Sequence, residues 1–84
     1  MNFWRPDMEH CEWSPPGGWD PRWSAQERWW AGAMVDAGVR AGYERDEAGR
    51  LAVMSVNMRV LEGLRYSDYW MGRVAGFRRA ILVH

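Results

Sequence analysis

Apolar and polar positions mark out two stretches of clear helical period and one that reads in two ways. In the first, Trp30, Ala33, Met34, Ala37 and Ala41 recur at the spacing of one helix face, and Asp36, Arg40 and Glu44 fall four apart on another. Ser24-Ala-Gln-Glu27 ahead of them is a capping box, in which the serine hydroxyl and the glutamate carboxylate each satisfy a backbone amide that the first turn leaves open. Asp20-Pro21 is a second candidate start, since proline suits the first helical position. The pattern predicts a helix over 25–44 with Trp30 facing the core. Gly38 and Gly42 weaken it by about 1 kcal/mol each relative to alanine, and they leave room for another backbone to come close.

Near the C-terminus, Ser67-Asp68 supplies a cap and a first-turn acid. Trp70, Val74, Phe77 and Ile81 then repeat as a tight apolar stripe, with the small residues Gly72, Gly76 and Ala80 on an adjacent face. Set against Ala33, Ala37 and Ala41, that small face predicts close helix–helix packing inside the fold or across a dimer through Gly72 and Gly76.

The middle is ambiguous. Met54 to Val60 alternates apolar and polar like a strand, and Glu47-Ala-Gly49 before it suits a hairpin turn. Read as a helix, Leu51, Met54, Met58 and Leu61 line one face, with Ser55, Arg59 and Glu62 opposite. An isolated two-stranded hairpin is marginal in water, which favours the helix. Before residue 24, Pro6, Pro15, Pro16, Gly17, Gly18 and Pro21 exclude long regular structure. The same segment carries Phe3, Trp4, Trp13, Trp19 and Trp23, and a chain so rich in aromatics is expected to be pinned to the body rather than free. The fold class predicted is mainly α: one domain over 1–84, with an irregular Trp/Pro-rich arm over 1–23 and a two- or three-helix body over 24–84. The alternative is α+β with a hairpin at 45–58.

Composition changes this picture in three ways. Eighty-four residues bury only about 60–65% of the unfolded surface, so the core is small. Cys11 is the only cysteine, which excludes an intrachain disulfide and points to a reducing compartment. The chain lacks an apolar run long enough for a membrane span. The expected location is the cytoplasm, of the host if a phage encodes the chain. Third, the net charge of zero is unevenly distributed: residues 1–48 hold five arginines and nine acids, residues 49–84 six arginines and two acids. The simplest expectation is that the halves neutralise each other on folding. All eleven basic residues are arginine, which stacks on aromatic rings and pairs with carboxylates through two hydrogen bonds.

Candidate chemistry is sparse. His10-Cys11 lies among Asp7, Glu9 and Glu12, but zinc needs paired ligands at set spacings, and the other histidine is His84. Adjacent His and Cys side chains diverge, so they make a poor nucleophile pair. No lysine is available for a phosphate loop. No metal, cofactor or catalytic residue is expected, and the chain reads as a non-enzyme.

Binding residues are easier to nominate. Seven tryptophans exceed what one small core takes in, and Trp29 and Trp30 point about 100° apart on a helix. Tryptophan and arginine are enriched at interface hot spots. Trp4, Trp13, Trp19, Trp29 and Arg22 are the candidate protein-binding residues. The function expected is docking on a larger protein or complex to block or bridge it, in the manner of small phage or mobile-element inhibitors of host defence such as anti-CRISPR proteins. One alternative is nucleic-acid binding through Arg65, Arg73, Arg78 and Arg79. The other is a small self-assembling structural subunit.

Overall fold

The computed structural model describes residues 13–82. It contains three helices, α1 (Ala25–Arg40), α2 (Arg45–Val60) and α3 (Asp68–Leu82), and no strand among the described residues. The ambiguous middle is helix, and the hairpin at 45–58 does not form. No helix is long and apolar enough to cross a membrane.

α1 begins where the capping box sets it. The Glu27 N–H donates to Ser24 Oγ at 3.2 Å, and the Ser24 N–H donates to Glu27 Oε1 at 2.5 Å. Asp20-Pro21 instead opens a turn, closed by the Trp23 N–H on the Asp20 carbonyl at 3.0 Å. The predicted end at residue 44 is too late. Gly42 takes φ +106°, in the left-handed region that glycine enters without strain, and the Tyr43 amide folds back onto the Gly38 carbonyl. Glu44 then stands immediately before α2.

The core gathers Val35, Ala48, Leu51, Ala52, Val74 and Phe77, and a smaller cluster adds Trp23, Ala31 and Val56. α1 and α2 share the most extensive helix contact, and α3 packs on both. The α3 stripe lies as predicted: Val74 and Phe77 are buried, and Trp70 and Ile81 pack beside them. The α1 stripe is a correction. Of the predicted stripe only Ala33 is buried, together with Ala31, Gly32, Val35 and Gly38, while Trp30, Met34, Ala37 and Ala41 are half-buried. α1 meets α2 through small residues, which leaves its bulkier side chains on the flank. Ser55 is a second correction, since it lies inside, at 1% exposure, rather than on an outer face of α2.

The closest approach is at Gly38. A Cβ there would lie 2.6 Å from Phe77 Cε1 and 3.0 Å from Ala48 Cβ. Tyr43 meets the same ring edge-on, with centroids 5.2 Å apart. Close packing by glycine thus occurs on α1. A Cβ at Gly72 or Gly76 would meet nothing within 4 Å, so the predicted close packing of that α3 face does not occur inside this chain.

These two environments give substitutions of opposite sign. Gly38→Ala loses about 1–3 kcal/mol to overpacking, more than the ~1 kcal/mol that alanine gains as a helix former. Gly72→Ala has only the gain. Urea unfolding of both variants checks this, and a Gly38→Ala protein more stable than the parent overturns the packing described.

Candidate functional site

The arm is held by a run of indoles. Pro15 to Gly18 form a turn in which the Gly18 N–H donates to the Pro15 carbonyl at 3.0 Å, with Gly17 at φ +81° as a type II turn requires. The turn brings Trp13 and Trp19 edge to face at 5.7 Å, and Trp19 continues to Trp23 at 5.8 Å. Trp13 rests on the α2 backbone at Gly49, where an added Cβ would stand 2.8 Å from the ring. Trp23, at 4% exposure, is the deeply buried tryptophan. Its Nε1–H donates to Asn57 Oδ1 at 2.8 Å, and Asn57 Nδ2 donates to the Tyr66 hydroxyl at 3.4 Å. One polar chain thereby ties the arm, α2 and the α2–α3 connection together.

Among the nominated protein-binding residues, Trp4 lies outside the described residues, as do His10 and Cys11. Trp13, Trp19 and Trp29 are half-buried. Trp13 also walls a cleft of about 810 Å³ with Pro15, Pro16, Arg50, Met54 and Tyr66. Arg22 is engaged within its own turn: its backbone N–H, Nε and Nη2 all donate to the Asp20 carboxylate, at 2.9, 3.0 and 2.7 Å. Those hydrogen bonds hold the Asp20 carboxyl at about 2, below its usual 3.8, and raise the Arg22 guanidinium in return.

The nominated nucleic-acid residues are also dispersed by their partners. Arg73 pairs with Glu47 across α2 and α3, and donates to the Tyr69 hydroxyl at 2.8 Å. Arg65 pairs with Asp68 at 3.2 Å. Arg78 turns inward, its Nε donating to Ser55 Oγ at 2.7 Å and its Nη2 to the Ser55 carbonyl at 3.1 Å. Arg79 is exposed, and neither it nor Arg78 has an ion pair among the described residues.

A second candidate site is one the sequence pattern disguised. An open groove of about 950 Å³ runs between the three helices. Its apolar lining includes Trp30, Met34 and Ala37 of α1, Val56 of α2, and Ile81 and Leu82 of α3. The α1 face that periodicity assigned to the core therefore looks into this groove. Leu82 at the rim is 84% exposed. Arg40, Arg59 and Arg78 also line it, and no carboxylate among the described residues does. The Arg59 guanidinium lies 4.8 Å from the Trp30 ring centroid, which fixes its position by cation–π stacking.

The described residues contain no group of three or more His, Cys, Asp or Glu side chains placed to hold a metal ion. No protein-family model matches the chain, and comparison with curated proteins and with solved structures gives no match.

The Asp20–Arg22 pair is directly measurable. The folded carboxyl titrates below the unfolded one, so any stability it contributes is complete above pH 3.8 and is lost as pH falls from 3.8 towards 2. In a carboxyl-carbon NMR titration Asp20 shows a midpoint of about 2. Arg22→Gln moves it back towards the usual value; an unchanged midpoint removes the guanidinium as the cause.

Proposed function

We propose that the chain is a non-enzymatic protein-binding module that docks on a larger protein assembly through the groove between its helices, blocking or bridging that assembly. The groove itself carries this reading. Water gains nothing from contact with Trp30, Met34, Val56, Ile81 and Leu82, and an apolar depression of this extent on a small protein marks an interaction site. Three helices meeting along an open apolar trough match the geometry by which proteins seat a partner's amphipathic helix. The half-buried Trp13 and Trp19 support the body through their inner faces and offer the remainder of their surface as a secondary contact. Nucleic-acid binding draws less support, because Arg65 and Arg73 already hold carboxylate partners within the chain.

Affinity purification from the native host, followed by mass spectrometry, tests the reading. Wild type recovers a stoichiometric partner, Ala37→Trp, which fills the groove floor, loses it, and Trp19→Ala retains it, with circular dichroism showing all three folded. Loss on Trp19→Ala with retention on Ala37→Trp moves the docking surface to the arm. Recovery of no stoichiometric protein by the wild type overturns the proposal.

A further inference from the structure

The groove has a charge as well as a shape. Arg40 comes from the last turn of α1, Arg59 from the last turn of α2, and Arg78 from the C-terminal half of α3. Three different helices thus each place a guanidinium on one apolar trough, with no acid among the described residues of the lining. None of the three has a carboxylate partner among the described residues. Arg78 spends two of its five N–H groups on Ser55, and Arg59 is stacked on Trp30. An arginine stacked on an indole or anchored to a buried serine has already lost much of its conformational freedom. A partner's carboxylate then meets it with less left to order.

Resting on the reading of the groove as a protein-docking site, we infer that its occupant is an acidic amphipathic helix of the partner: an apolar stripe for the trough, flanked on both sides by Asp or Glu for Arg40, Arg59 and Arg78. Charge complementarity selects this occupant over a neutral or basic helix. The apolar floor selects it over nucleic acid, whose backbone brings phosphates but no apolar stripe.

The probes are two designed helical peptides of about 14 residues with the same leucine stripe, one flanked by glutamate and one by lysine. The readouts are chemical-shift mapping on the labelled full chain and fluorescence anisotropy at low and high salt. The acidic peptide shifts the resonances of Ala33, Ala37, Val56 and Leu82, and binds about tenfold or more tightly than the basic one. Salt weakens it. Arg40→Glu and Arg59→Glu, each checked for unchanged helicity and melting temperature, reverse the preference and gain the lysine peptide. That gain of binding cannot come from misfolding. Equal binding of both peptides in the groove overturns the acidic occupant while leaving the docking site standing. Binding of neither peptide overturns the docking site as well. Two further results also overturn the inference. One is tighter binding of duplex DNA or RNA than of the acidic peptide at the same resonances. The other is concentration-dependent shifts of those resonances without any peptide, which assign the trough to a second copy of the chain.

Discussion

The contact on which this fold turns is the edge of the Phe77 ring lying where a side chain at residue 38 would be. Gly38 opens the α1 surface, Ala48 keeps the facing α2 surface low, and Tyr43 from the connecting turn closes on the ring. One aromatic side chain of α3 thus touches both other helices and the loop between them. Burying it fully is worth about 1.5–3 kcal/mol, a large share when the net stability of a native domain is typically about 5–15 kcal/mol. The polar links to α3, Arg73 to Glu47 and Arg78 to Ser55, hold it on either side of this plug.

That arrangement also explains why a groove exists. α1 and α2 pack through alanine and glycine, so their backbones come close and their larger side chains are pushed to the margins. α3 can cover only part of the resulting surface, because its docking is fixed by where the Phe77 ring enters. Trp30, Met34 and Ala37 stay half-buried along the uncovered side, and Leu82 extends over it. The short chain has no fourth element among the described residues to close the trough. The open site is a consequence of tight packing elsewhere in the same small core.

Much of the scaffold was legible in the sequence. Local signals fix local structure: Ser24 and Glu27 place the start of α1, and the Trp70–Val74–Phe77–Ile81 stripe places α3 and its inner face. Which side of α1 points inward was not legible. Alanine and glycine at 31, 32, 33, 37 and 38 surround nearly the whole helix, so residue size no longer distinguishes inside from outside. The stripe with the largest side chains, read as core, looks into the groove. Ser55 misled for a different reason. A serine on a helix reads as an outer-face residue until its partner is known, and that partner, Arg78, is 23 residues away in sequence. The tryptophan surplus was visible, but its division was not: Trp23, from the arm, is the deeply buried indole because Asn57 accepts its N–H.

The uneven charge of the chain finds its meaning at the same place. Neutralisation of the acidic first half by the basic second half is the natural expectation, yet among the described residues only Arg73–Glu47 is an ion pair joining the two. Asp20–Arg22 stays within the first half and Arg65–Asp68 within the second. Other arginines are spent on rings: Arg28 over Trp19, Arg50 over Trp70, and Arg59 over Trp30. Stacking holds a guanidinium in position without cancelling its charge, which a carboxylate partner would do and which lysine, with no flat face, does less well. An all-arginine, tryptophan-rich composition therefore yields fixed positive charge beside apolar surface. In the groove one such charge, Arg59 on Trp30, stands along the same trough as Arg40 and the Ser55-anchored Arg78, which makes these cations part of the trough rather than a remainder of the composition.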